Sequence, residues 1–314
     1  MHLRVRRQCF ALLAGIVILS SFYIVSVSFY RIWQENTQKI TTHDYVFPRH
    51  GNENVEIHVI TNYPLMFESP WKDNQTTSDI HKLWERQKEI EETLQRNLDH
   101  PLVTNIHLIV TQESAEKRLM TLPLHNKHKI LVQRITTMPK YRDFFQYASE
   151  KLLNRIVVFM NMDIYLDEGF ELINKTFLVQ KKVSYALTRS GRVELKCNLT
   201  GIRGYCGNKY GGSHDAYIFV LTKPLTHSVL SELNYSMNVM GAENVLIWIF
   251  KNRMGMKVLN PCKILRAYHN HCVRIRGNFR PRIYKTLTFY RGKSAGAPET
   301  GLYTRNRIIK TKVP

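Results

Sequence analysis

One stretch constrains the fold more than any other: Arg155 to Tyr165, Arg-Ile-Val-Val-Phe-Met-Asn-Met-Asp-Ile-Tyr. Its unbroken apolar run, Ile156 to Met160, ends abruptly at Asn161 and Asp163. A run this short with no polar alternation reads as a strand covered on both faces, as in parallel sheets. Polar residues at the carboxyl end of such a strand stand where open α/β sheets bind their ligands. In extended backbone, residues two apart face the same side. Asn161 and Asp163 are therefore expected to hold one hard cation, or a ribose and a cation, between them. The plainer alternative is a strand end stopped by an Asx turn.

The chain around this stretch alternates strand and helix. Val55 to Asn62 alternates and then runs apolar into Thr61 and Asn62 before a Tyr63-Pro64 turn, as a first strand entering a ligand loop would. Thr61 and Asn62 are candidate nucleotide contacts. Ile80, Leu83, Trp84, Ile90, Leu94 and Leu98 recur at helical spacing, with Glu, Lys and Arg on the other face, which predicts a covering helix. Strands are expected at Thr104 to Val110 and Lys129 to Gln133, and an aromatic-rich helix at Tyr141 to Leu153. This order predicts an α/β fold with crossover helices, and residues 55 to 165 as a nucleotide-binding half. No GxGxxG follows the first strand, which argues against a dinucleotide site and leaves the phosphates to another device, such as a cation at Asp163.

Beyond it, Val183 to Arg189 reads as a further strand, and Lys196 to Gly212 as a loop rich in Gly and Cys. Ser213-His214-Asp215 stands directly before a strand, Ala216 to Leu221. Three adjacent residues cannot form a hydrolase triad, and no Gly-x-Ser-x-Gly elbow is present. Met240 to Phe250 reads as a loop glycine opening a buried helix, with Glu243 in its first turn. The helix amino end would stabilise that carboxylate whether it caps or catalyses. His269 and His271 alternate on extended backbone and so face one side, a spacing that suits a metal or diphosphate ligand.

Three arginines, Arg4, Arg6 and Arg7, precede an uncharged stretch of 22 residues, Cys9 to Tyr30. The stretch is long enough to span a bilayer, and the arginines keep the amino terminus cytosolic. The expected order is a tail at 1–8, an uncleaved anchor at 9–30, a polar stem at 31–54, a catalytic body at 55–285 and a basic tail at 286–314. A lumenal body agrees with four sequons, at Asn74, Asn174, Asn198 and Asn234. It also agrees with an even set of cysteines after the anchor's Cys9: Cys197, Cys206, Cys262 and Cys272. Pairing nearest neighbours, Cys197 with Cys206 and Cys262 with Cys272, is the simplest arrangement, and the other two connectivities stay open. Neither pair has the spacing of a structural zinc site.

The formal net charge is +20, and residues 263 to 312 hold thirteen Lys and Arg against the single acid Glu299. In a secretory lumen the anions that such a surface meets are nucleotide-sugar phosphates, acidic glycans and headgroups, so nucleic acid is not the expected partner.

Several segments in order, Tyr141-Arg-Asp-Phe-Phe-Gln-Tyr-Ala, Asn161-Met-Asp-Ile-Tyr, Ala186-Leu-Thr-Arg, Ser213-His-Asp-Ala-Tyr-Ile-Phe, Gly241-Ala-Glu-Asn and Asn260-Pro-Cys-x7-His-x-His, resemble a group of GT-A-like glycosyltransferases. The resemblance covers about residues 55 to 275. It implies a mixed, mainly parallel sheet flanked by helices, in a Golgi type II membrane protein that moves a sugar from a nucleotide-sugar donor to a glycan or glycoprotein acceptor. By that similarity Asp163 stands as the metal-binding acid of a degenerate Asp-x-Asp, with Asn161 in place of the first acid. His269 or His271 then completes the coordination of Mn²⁺ or Mg²⁺, or catalysis is metal-independent. Asn161 and Arg189 join Thr61 and Asn62 on the donor, and Asp215 and Glu243 are the general-base candidates. Asn161 also motivates a rival reading, a catalytically inactive glycan-binding protein. A Golgi sulfotransferase is a poorer rival, because the only Gly-Lys-Ser, Gly292-Lys293-Ser294, has Leu287 where a phosphate loop needs glycine.

Overall fold

Among the described residues nine strands run in chain order: β1 Ile57–Asn62, β2 Val103–Val110, β3 Ile130–Arg134, β4 Ile156–Met160, β5 Ile164–Leu166, β6 Val183–Leu187, β7 Ala216–Phe219, β8 Lys257–Leu259 and β9 Ala267–His269. Seven form one sheet in the order β3-β2-β1-β4-β7-β6-β8, while β5 and β9 form a separate antiparallel pair. β7 is antiparallel to both its neighbours, and the sheet's other pairings are all parallel. The computed structural model describes residues 54–68, 77–190, 206, 214–237, 239–273 and 283. The tail 1–8, the span 9–30, nearly all of the stem 31–54 and the segment 286–314 lie outside the described residues, as do Asn74, Cys197 and Asn198. Among the described residues no helix is long and apolar enough to cross a membrane.

Six α-helices among the described residues connect the strands: α1 Thr77–Asp99, α2 Glu113–Thr121, α3 Tyr141–Lys151, α4 Lys175–Gln180, α5 His227–Glu232 and α6 Ala242–Asn252. The architecture is thus the mixed α/β one expected, a mostly parallel sheet flanked by helices. The sequence reading missed α2, running β2 straight into β3. A parallel pair cannot be joined by a tight turn, so a crossover element is required there. β9 stands apart from the main sheet and pairs with β5.

β4 is buried along its whole length and lies at the middle of the sheet. Phe159 packs against Tyr141, Phe144 and Phe145 of α3, and Phe145 stacks on Phe219 and meets Phe250 of α6. These rings belong to one continuous core under the sheet. Each buried aromatic side chain contributes on the order of 2 to 3 kcal/mol, so this layer fixes the strand that carries Asn161 and Asp163. α6 opens at Gly241, whose left-handed φ of 86° a side chain would strain.

The reversal of β7 positions the site. Met160 pairs with Ala216 and Leu187 pairs with Ala216 from the other side. The start of β7 therefore lies at the same edge as the ends of β4 and β6, which puts His214 and Asp215 beside Asn161 and Arg189. Asn260, fully buried after β8, locks the end of β6: its Oδ1 accepts the Thr188 N–H at 3.1 Å and its Nδ2 donates to Thr188 Oγ1 at 2.8 Å.

Candidate active site

Asn161 and Asp163 do not share a ligand position. β4 stops at Met160, and residues 161 to 163 turn, with the Ile164 N–H on the Asn161 carbonyl at 3.1 Å. The two-residue period of a strand does not carry through a turn, so the two side chains reach different neighbours. This corrects the expectation that one cation sits between them. It leaves two polar centres, one at each end of a three-residue turn.

The first centre gathers on Asp163. Its Oδ2 faces His269 Nε2 at 2.9 Å, His271 Nδ1 at 3.1 Å and the Nη2 of Arg86. Both histidines reach the carboxylate, as their alternating spacing predicts, where the resemblance called for one of the two. β9 brings them there: Ile164 pairs with His269, and the Asn270 N–H donates to the Asp163 carbonyl at 2.8 Å. Burial works to raise the Asp163 carboxyl, but His269, His271 and Arg86 outweigh it and hold the group well below the usual carboxylate range.

Asp163, His269 and His271 place ligand atoms within 4.8 Å of one another, so in donor type and spacing they could hold a metal ion. The fourth neighbour does not fit such an ion. Arg86 is 2% exposed and brings a permanent positive charge onto the same carboxylate oxygen.

Arg86 belongs to a feature that the apolar stripe of α1 concealed. Arg86, Gln87, Glu89, Thr93 and Asn97 are all buried, while Ile80 and Trp84, which were expected to face the core, are 47% and 40% exposed. The charged face assigned to solvent is in part an interface. Asn97 takes the place of a neighbouring strand for β5, donating to the Ile164 carbonyl at 2.9 Å and accepting from the Leu166 N–H at 3.0 Å. Positions 86, 89, 93 and 97 recur at helical spacing, and this polar stripe is the signal that could have revealed the interface.

The second centre gathers on Asp215, 3% exposed. Its Oδ1 accepts from Asn161 Nδ2 and from Arg189 Nη1, each at 3.0 Å, and its carbonyl accepts the Asn161 N–H at 3.1 Å. Glu243, half-buried in the first turn of α6, accepts the His214 backbone N–H at 2.9 Å. Enclosure of its carboxyl, and then the nearby charge of Asp215, push Glu243 up to about 8; the His214 N–H and Arg189 offset only part of this. Burial pushes the His214 imidazole down to about 3, so at neutral pH it adds no charge. The Tyr217 hydroxyl donates to the His214 carbonyl at 3.2 Å and steadies the segment that carries Asp215. Four expected residues, Asn161, Arg189, Asp215 and Glu243, therefore converge.

At the end of β1, Asn62 Nδ2 donates to Met162 Sδ at 3.8 Å, which sets Asn62 against the same turn. The Thr61 hydroxyl is buried with no hydrogen-bond partner. Asn234 is exposed, whereas Asn174 caps α4, its Oδ1 accepting the Phe177 N–H at 2.7 Å.

The cysteines pair differently from the nearest-neighbour expectation. Cys206 is bonded to Cys262, across 56 residues, and Cys272 is also disulfide-bonded. Topology explains this: β6 and β8 are parallel neighbours, so the segments that follow them emerge side by side. The Cys206 N–H donates to the Arg189 carbonyl at 2.8 Å, so the bond ties the segment after β8 to a residue of the second centre.

No protein-family model matches the chain, and no curated protein sequence matches it. Among solved structures, TarS 1-349 of S. aureus in complex with UDP-GlcNAc is similar at 12% identity and a TM-score of 0.40, over 71% of this chain and 60% of that one. The chain thus spans about three fifths of that structure's length. A putative nucleotide-diphospho-sugar transferase from Desulfovibrio desulfuricans G20 is similar at 13% identity and a TM-score of 0.41, over 81% of this chain and 98% of that one. The 4-diphosphocytidyl-2C-methyl-D-erythritolsynthase from Anaerococcus prevotii DSM 20548 is similar at 8% identity and a TM-score of 0.36, over 72% and 92%.

Proposed function

We propose that the chain is a GT-A-like glycosyltransferase, moving a sugar from a nucleotide-sugar donor to a hydroxyl of a glycan or glycoprotein acceptor. The observation that carries this reading is the meeting of Asp215 and Glu243 at the ligand-binding edge of a mainly parallel sheet, beside Asn62, Asn161 and Arg189. Inverting transfer of a sugar to a hydroxyl needs a base whose proton affinity is matched to the working pH, and a group raised to about 8 meets that need. Glu243 is the base in this reading, and it takes the acceptor proton on its carboxylate. Asp215, fixed by Asn161 and Arg189, tunes Glu243 by its charge. Thr61, Asn62 and Asn161 line the donor side, and Arg189 supplies positive charge near the leaving diphosphate.

The lumenal placement is part of the same proposal. The arginines before the apolar span 9–30, the four sequons and the Cys206–Cys262 disulfide support a Golgi type II membrane protein.

Turnover of a panel of UDP- and GDP-sugars by the full chain tests the reading. One donor is expected to be consumed, with Glu243→Gln slower by about 10²- to 10⁴-fold at unchanged donor affinity. Binding without turnover by the wild type would favour the glycan-binding alternative that Asn161, standing where an acid is expected, motivates.

A further inference from the structure

The Asp163 centre already contains a cation. Arg86 Nη1 donates to Glu89 Oε2 at 2.8 Å and to the Asn270 carbonyl at 2.9 Å, while Nη2 meets Asp163 Oδ2. Glu89 is itself fixed, because its Oε1 accepts the backbone N–H groups of Cys272 at 2.8 Å and Val273 at 3.0 Å. Asn270 closes the ring by donating to the Glu89 carbonyl at 3.0 Å. A guanidinium held on three acceptors, in surroundings that leave it almost no exposure, has no solvated position to retreat to.

Two physical arguments then bear on what else Asp163 can bind. A divalent ion on Asp163 Oδ2 would stand within about 5 Å of the guanidinium, and like charges that close in a buried site repel strongly. The imidazole nitrogens that would ligate an ion are also already engaged. His269 Nε2 and His271 Nδ1 both lie within hydrogen-bonding distance of Oδ2, and each would have to give up that contact to turn a lone pair to a metal.

We propose that Arg86, held by Asp163, Glu89 and the Asn270 carbonyl, is the resident cation of this centre, and that it stands where Asp163, His269 and His271 would otherwise bind a divalent metal. The centre is then metal-independent, and its work is to tie α1, the 161–163 turn and the segment after β9 into one rigid unit. This stands whether or not the chain transfers a sugar, because its test requires no donor.

The test is a titration of the full chain with Mn²⁺, following the free ion by electron paramagnetic resonance, beside Asp163→Asn. The wild type and Asp163→Asn are expected to leave the same amount of Mn²⁺ free, and EDTA to leave the wild-type melting temperature unmoved. One Mn²⁺ bound by the wild type and lost in Asp163→Asn would overturn the proposal. Arg86→Gln removes the charge and is expected to tighten Mn²⁺ binding by about tenfold or more. A folded Arg86→Gln as indifferent to Mn²⁺ as the wild type would also overturn it. Failure of Arg86→Gln to fold, with Arg86→Lys folded and indifferent to Mn²⁺, would uphold the need for a fixed positive charge.

Discussion

Two carboxylate centres lie on either side of one short turn, and they are built in opposite ways. On the Asp163 side a single carboxylate oxygen faces three donors, Arg86, His269 and His271, so the anion is favoured despite burial. On the Asp215 side two carboxylates lie close enough to feel each other, with Arg189 on only one of them, so Glu243 is pushed toward its protonated form. Surplus of donors makes a rigid structural joint, and shortage of donors makes a group able to exchange a proton near neutral pH. The difference also separates their sensitivity to pH. Asp163 is depressed below its usual value of 3.8, so its contribution is present above that value and lost as pH falls through the folded one. Glu243 is raised above 4.5, so its effect appears on the other side.

Breaking the donor-rich centre should have the largest effect. Asp163→Ala leaves the Arg86 guanidinium buried with Glu89 as its one carboxylate, and loss of one partner from a buried pair costs about 3 to 5 kcal/mol. Urea denaturation of wild type and variant measures it. A change below about 1 kcal/mol would mean that the pair is solvated and that the contrast between the centres is false.

Next in size is the disulfide that ties the segment after β8 to the second centre. Replacing Cys206 or Cys262 by Ser opens a loop closed across 56 residues, and chain entropy puts the loss at about 4 kcal/mol, of which engineered cases often deliver less. The same change frees the neighbour of the Arg189 carbonyl, so catalytic loss should accompany it, whereas Asp163→Ala need not alter the Asp215 side directly. Equal catalytic loss in both variants would show that the turn couples the two centres into one.

How much of this was legible in the sequence follows from the range of each interaction. β1, β4, α3 and α6 were readable because apolar periodicity and run length are local, and the polar residues that end those strands marked the ligand edge. Asn161, Arg189, Asp215 and Glu243 could be named, but their meeting depends on the reversal of β7, which no local pattern encodes. The Asn161-x-Asp163 spacing misled because a strand rule was carried three residues past the strand's end at Met160. The cysteine pairing misled because nearness in sequence was used where β6 and β8 decide nearness in space. Arg86 and Glu89 were hidden by their charge: on an amphipathic helix such residues are assigned to water unless a partner on another segment is already known.

The smallest expected effect sharpens the comparison most. Glu243 binds a proton more tightly folded than unfolded, so between about 4.5 and about 8 the folded state carries more protons, and stability must fall as pH rises through that window. Below it both states are protonated, and above it both are ionised, so the slope vanishes outside. Glu243→Gln keeps the shape and the acceptor oxygen for the His214 N–H but cannot ionise. Relative to the wild type its stability should therefore gain steadily across this window and, at pH 8, should exceed the wild type's, while the proposed sugar transfer slows. The size is modest because the residue is only half-buried and solvent screens part of the repulsion. Thermal unfolding of both proteins at intervals from pH 4.5 to 8.5 measures the slope. Parallel curves would place the proton elsewhere and remove Glu243 as the base, whereas a slope in the wild type that Asp215→Asn also flattens would identify the second carboxylate as its cause.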